Sequence, residues 1–236
     1  MCGRYTQISS WSELVRLYRI TDAATPLNLR PRYNIAPTQD VSVVRAAPDG
    51  GGRTLTRMRW GLVPSWAKDI AIGARLINAR AETVAEKPSF RDAYRRRRCL
   101  IPADGFYEWQ KRPGGPKQPY LITLKDQRPI AFAGLWECWN KAPDGRPVQT
   151  CAIITTEAND LLRPIHGRMP VILDAADHDA WLDADGHDGA AAALLRPYSS
   201  ADMRAGPVGA YVNSARNDDP KCVEPGQVEG GDRLLL

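Results

Sequence analysis

Histidine is scarce in this 236-residue chain, with three copies, and phenylalanine is equally rare. The five cysteines form no Cys-x-x-Cys pair, and two of the histidines, His178 and His187, fall in an acidic C-terminal stretch. The usual structural zinc spacings are thereby excluded, and neither a metal nor another cofactor is expected. An odd number of scattered cysteines does not make a disulfide framework and fits a reducing compartment. No apolar run approaches the roughly 20 residues that span a bilayer. The opening "MCGRYTQISSW" lacks the apolar core of a signal peptide and has cysteine where myristoylation requires glycine. An intracellular, cytoplasmic protein with no membrane partner is therefore expected. Repeats and low-complexity linkers are absent too, which leaves one domain over residues 1–222 and an expected mobile tail over 223–236.

The charge that is present is unevenly spread. Residues 1–170 hold 27 Lys and Arg against 15 Asp and Glu, whereas residues 171–236 hold 5 against 12. A basic body with an acidic C-terminal part suits a polyanion, nucleic acid first, although an unevenly solvated surface gives the same numbers.

Several elements can be read from local pattern. Ser10 with Glu13 forms a capping box ahead of the amphipathic "WSELVRLYRI". "DVSVVRAA" and "RTLTRMRWGL" flank a Gly-rich turn as a hairpin. "SFRDAYRRRR" reads as a helix capped by Ser89. "CLIPADGFYEW", "PYLITL", "IAFAGLWECW", "VQTCAIITT" and "RMPVILD" read as strands, and "EANDLLRPI" and "AADHDAWLDA" as short helices. Consecutive strands without long intervening helices predict an α+β domain on antiparallel sheet.

Cys2 is distinguished by position. Removal of Met1 would make it the N-terminus, placing a thiol and an α-amine on adjacent carbons. Such an amine has a pKa of about 7.7–8.0, so part of it is unprotonated at neutral pH and can condense with an aldehyde. The thiol can then close a five-membered thiazolidine in an effectively unimolecular step. A small buried residue is the alternative, and it is the reading given to Cys99, Cys138 and Cys151. In "LINARAET", alternation puts Asn78, Arg80 and Glu82 on one strand face. In "ADGFYEW", Glu108 lies between aromatics and is either half buried with a raised pKa or an exposed alternate residue. His166 sits in the basic "RPIHGRMPVIL". Arg163, Arg168 and Arg95 to Arg98 are candidates for phosphate, though four consecutive arginines on a helix cannot point one way. Trp60 and Trp66 are core residues or stacking planes for unpaired bases.

Taken together, "MCGRY", "RYNIAPTQ", "RWGLVPSWAKD", "INARAET", "FRDAYRRRRCLIPADGFYEW" and "HGRMPVIL" appear in the order found in the SRAP (SOS-response-associated peptidase) family. The chain resembles that family from residue 2 to about 218. The resemblance implies a twisted, barrel-like antiparallel sheet with peripheral short helices. It also implies crosslinking of Cys2 to the aldehyde of an abasic site in single-stranded DNA, and hence a nucleoid-associated location. By resemblance, Asn78 holds the N-terminal residue, Glu108 shuttles protons for imine formation, and His166 assists ring opening and reversal. Arg4, Trp66, Arg80, Thr83, Thr155 and Arg168 match DNA-contact positions. Two other readings remain: a non-covalent single-strand-binding module, and a thiol peptidase with Cys2 as nucleophile, His166 as base and Met1 removal as its cleavage.

Overall fold

Strands dominate the computed structural model, which describes residues 2–22, 29–48, 50–183 and 188–226. In chain order they are β1 (Tyr5–Gln7), β2 (Ile20–Asp22), β3 (Arg32–Ile35), β4 (Asp40–Ala46), β5 (Arg53–Trp60), β6 (Asn78–Arg80) and β7 (Arg98–Ala103). Then follow β8 (Gly105–Gln110), β9 (Gln118–Leu124), β10 (Ile130–Trp139), β11 (Val148–Glu157), β12 (Arg168–Pro170), β13 (Ile172–Leu173) and β14 (Met203–Pro207). The helices are short: α1 (Trp11–Tyr18), α2 (Arg91–Arg96), α3 (His178–Leu182) and α4 (Asp188–Ala193).

Five strands close on themselves. β4 pairs antiparallel with β5 and β7, β7 with β10, and β10 with β11. β11 returns to β5 in parallel through Thr150–Arg59 and Cys151–Trp60, which completes the ring. Closure leaves these strands no free edge. A second sheet, in the order β14-β9-β8-β1-β3, packs its inner face on the ring's interior. Alternation does the sorting. Val41, Val43, Met58, Cys99, Ile101, Phe132 and Ile153 point inward and share a core with Tyr5, Ile35, Phe106, Tyr120 and Ile122 of the second sheet. Their neighbours Val44, Leu100, Ala133, Leu135 and Ala152 point outward, under Leu14 and Tyr18 of α1, Tyr94 of α2 and Trp181 of α3. The expected α+β, barrel-like single domain with peripheral short helices is what forms.

The capping box is present: the Ser10 N–H donates to Glu13 Oε2 at 2.7 Å, and the Glu13 N–H donates to Ser10 Oγ at 3.4 Å. Four local expectations need correction. α2 has Phe90, not Ser89, at its cap, with no side-chain cap bond. "EANDLLRPI" forms turns rather than a helix, because the Asn159 carbonyl takes the N–H groups of Leu162 and Arg163 and Pro164 lacks a donor. "CLIPADGFYEW" is two strands, β7 and β8, broken at Asp104 and placed in different sheets. The "LINARAET" strand stops at Arg80, and Glu82 lies in a 3₁₀ turn, Ala81–Thr83, off the strand face. The arginine run also divides. Arg98 is buried and donates to the carbonyls of Trp181, Tyr94 and Asp183, while Arg97 pairs with Glu137 at 2.7 Å. Of the expected C-terminal tail, residues 227–236 lie outside the described residues; Gly226 donates its N–H to the Pro207 carbonyl at 2.9 Å.

One close approach positions the loop that carries Trp66. Gly61 leaves β5 at φ 132°, and a Cβ there would meet the Gly73 carbonyl at 2.6 Å. Gly61→Ala therefore combines backbone strain with a backbone clash and should cost about 2–4 kcal/mol. Urea unfolding checks this, and a loss under 0.5 kcal/mol would contradict the packing described.

Candidate active site

Tyr5 pairs with Phe106 and Thr6 with Gly105, so the chain preceding β1 runs back along β8 towards Glu108. Cys2 ends up fully buried in the shared core. Its carbonyl accepts a hydrogen bond from Asn78 Nδ2 at 2.9 Å. Asn78 is fixed in turn because β6 pairs in parallel with β11, Asn78 opposite Ile153. Burial pushes the Cys2 thiol pKa up strongly, and the Glu108 carboxylate adds to the shift. The thiol is therefore neutral at physiological pH.

Glu108 is buried, with 3% of its surface exposed, which decides between the two readings of the aromatic strand. Burial raises its pKa to about 7, against smaller opposing effects that include the Trp109 backbone and Lys117. Its Oε1 lies 3.9 Å from His166 Nδ1. That nitrogen lies 3.0 Å from the Arg168 backbone nitrogen and 3.2 Å from the Arg168 carbonyl oxygen, so the backbone of Arg168 holds the ring in place. Burial first, then neighbouring positive charge, lowers the His166 pKa and keeps the ring neutral. A carboxyl group poised near neutrality beside a neutral imidazole can give and take protons.

Beyond this centre, Thr155 of β11 lies opposite Arg80 of β6 and Pro170 of β12, so three strands bring the predicted contact residues together. Arg80 is exposed and Thr83 half-buried at the end of the 3₁₀ turn. Arg168 donates to both carboxylate oxygens of Glu82, at 2.5 and 3.0 Å, and to the Thr155 carbonyl at 2.6 Å. Trp60 is buried and donates Nε1 to the Ile77 carbonyl at 2.9 Å, so it belongs to the core. Trp66 is 52% exposed. Arg163 is exposed and lies 3.4 Å from Asp160.

Arg4 is committed inward. It donates to Asn34 Oδ1 at 2.8 Å and to the Val212 and Asn213 carbonyls at 3.0 and 3.3 Å. Asn34 in turn donates to the carbonyls of Val212, Ser214 and Asn217. Asp218 accepts the N–H groups of Tyr33 and Asn34 at 2.6 and 2.9 Å. "RYNIAPTQ" thus ties the N-terminal segment to the segment around residue 213. Two contributors had no signal in the sequence: Asp104, which accepts from the N–H groups of Ile8 and Ser9, and Lys117, whose charge acts on both Glu108 and His166. Among the described residues no cluster of three His, Cys, Asp or Glu could hold a metal ion, and the cysteines are free. No described helix is long and apolar enough to cross a membrane.

A closed five-strand ring with a second sheet, holding a buried cysteine at position 2 near a carboxyl group that faces an imidazole, defines a distinctive class of protein. Residues 1–215 match the model of the family described as SOS response associated peptidase (SRAP). The chain is 44% identical over 225 residues to the abasic site processing protein YoqW of Bacillus subtilis, covering 95% of this chain and 99% of that protein. It is 36% identical over 226 residues to the abasic site processing protein HMCES of Gallus gallus, covering 83% and 66%. The solved structure of a protein from Bacteroides thetaiotaomicron superposes with a TM-score of 0.83 at 27% identity, covering 96% of this chain and all of that one. The chain belongs to the SRAP family.

Proposed function

We propose that this chain processes abasic sites in single-stranded DNA by forming a covalent thiazolidine through Cys2. The observation that carries the reading is the position of Cys2: buried, held by Asn78 at 2.9 Å, and acted on by a carboxyl group whose pKa lies near 7. Removal of Met1 turns the Cys2 nitrogen into a free amine. That amine adds to the C1′ aldehyde of the ring-opened sugar, and water leaves to give an imine. The Cys2 sulfur then adds to the imine carbon while its proton passes to nitrogen, so the adduct forms with net loss of one water. Glu108 supplies the proton that expels water and takes one back. His166 assists sugar-ring opening and reversal. The adduct shields a labile site from strand cleavage.

Arg80, Thr83, Thr155 and Arg168 form the phosphate side of the DNA track, and exposed Trp66 offers a stacking plane. Arg4 supports it by fixing the N-terminal segment. The missing base spares the cost of unstacking. A thiol peptidase needs a depressed thiol pKa, and burial drives this one the other way. Covalent adducts that survive denaturing gels separate the proposal from non-covalent binding. Crosslinking should be at least about tenfold faster on an abasic single strand than on a paired duplex carrying the same lesion, and should slow with added salt. Equal rates on the two substrates would remove the basis for the stacking role of Trp66.

A further inference from the structure

Arg168 already holds an anion of this chain's own. Its Nη1 and Nη2 donate to the two oxygens of Glu82, at 2.5 and 3.0 Å. This is the parallel two-bond geometry with which an arginine fork grips a carboxylate or a phosphate. Arg168 has two further anchors. Nη2 also donates to the Thr155 carbonyl at 2.6 Å, and the Arg168 backbone N–H holds His166 Nδ1 at 3.0 Å. Glu82 is the looser partner, with 49% of its side chain exposed against 20% for Arg168. It stands on a three-residue 3₁₀ turn, Ala81–Thr83, at the rim of a cleft of about 520 Å³ that Arg196 also lines.

We propose that Glu82 occupies the phosphate position on Arg168 in the free protein, and that a DNA phosphate must displace it. The inference rests on the single-stranded DNA reading above. The arginine's fork edge accepts one doubly oxygenated anion at a time, so carboxylate and phosphate compete for it. On exchange Glu82 turns into the cleft towards Arg196, while the Thr155 anchor and the His166 bond stay in place. The device raises the threshold for non-productive binding to intact single strands without altering the proton-handling groups. Glu82 is thus a specificity-setting residue, not a catalytic one.

The test is a double-substitution cycle in the full chain, measuring fluorescence-anisotropy Kd for a labelled, lesion-free oligothymidylate. Glu82→Gln keeps shape and hydrogen bonding but removes the charge. It should tighten Kd about three- to tenfold at low salt, a gain that shrinks as salt is raised. In an Arg168→Ala background the same substitution should change Kd less than twofold. Unchanged or weaker binding by Glu82→Gln, or equal tightening with and without Arg168, overturns the inference. Glu82→Asp, which keeps the charge on a shorter arm, should not tighten binding as Glu82→Gln does; if it does, competition by charge is wrong. Failure of the wild-type chain to bind the oligonucleotide at all would instead sink the DNA reading itself.

Discussion

Cys2→Ala should reduce the stable DNA adduct to background while leaving binding to abasic single strands within about twofold. The variant still exposes a terminal amine once Met1 is removed, so an imine can form, be trapped by borohydride and nick the strand. It lacks the sulfur that closes the ring. Blocking Met1 removal makes the complementary change, because the nitrogen is then an amide and neither imine nor adduct should appear. Cys2→Ser offers a weaker nucleophile in the same place and should give a slower or less durable product. The physical reason for so large an effect is proximity: amine and thiol sit on adjacent carbons, which gives the second step the advantage of an intramolecular reaction. Gel-stable adduct from Cys2→Ala at even a tenth of the wild-type yield would contradict the role given to the thiol.

Glu108→Gln should slow crosslinking about a hundredfold or more, the usual scale for loss of a positioned acid–base group. The pH profile distinguishes this from mere damage. In the wild-type chain the rate should rise as the amine deprotonates towards 7.7–8.0 and fall as Glu108, with a pKa of about 7, loses its proton, giving a maximum near neutrality. The variant should keep the rising limb and lose the falling one. Stability should move the other way. The folded-state pKa of Glu108 is raised, so its protonated form is favoured by folding. The stability it contributes is full below about pH 4.5 and lost as pH rises through about 7. Glutamine carries no such cost, and the variant should melt higher than wild type at pH 8 and gain less at pH 5. Equal shifts at the two pH values would mean that Glu108 is not buried as described.

What could be read from the sequence was local or strictly periodic. The Ser10–Glu13 box spans one helical turn, and both of its bonds form. The ring strands showed themselves through alternation, because Val41 and Val43 face one core and Val44 the other. The misreadings have long-range causes. Nothing within "CLIPADGFYEW" says that Asp104 will be claimed by the N–H groups of Ile8 and Ser9, almost a hundred residues away in sequence, and that the strand must break there. Ser89 was a reasonable cap by composition, but the Lys87 carbonyl takes the N–H groups of both Phe90 and Arg91. The basic run at Arg95 to Arg98 is a candidate for phosphate by composition, yet Arg98 is spent on three backbone carbonyls. At the site, Cys2 and Asn78 were separate candidates in the sequence, and their contact is made only by the meeting of β6 with the N-terminal segment. Glu82 and Arg168 lie in separate motifs, and only the fold makes them an ion pair.

Intact-protein mass after incubation with an abasic single-stranded oligonucleotide reads out the covalent bond itself. One adduct species should form without reductant, with the mass of the chain lacking Met1 plus the oligonucleotide minus one water. An unshifted protein mass, an adduct seen only after borohydride, or an adduct that still carries Met1 would contradict the thiazolidine mechanism.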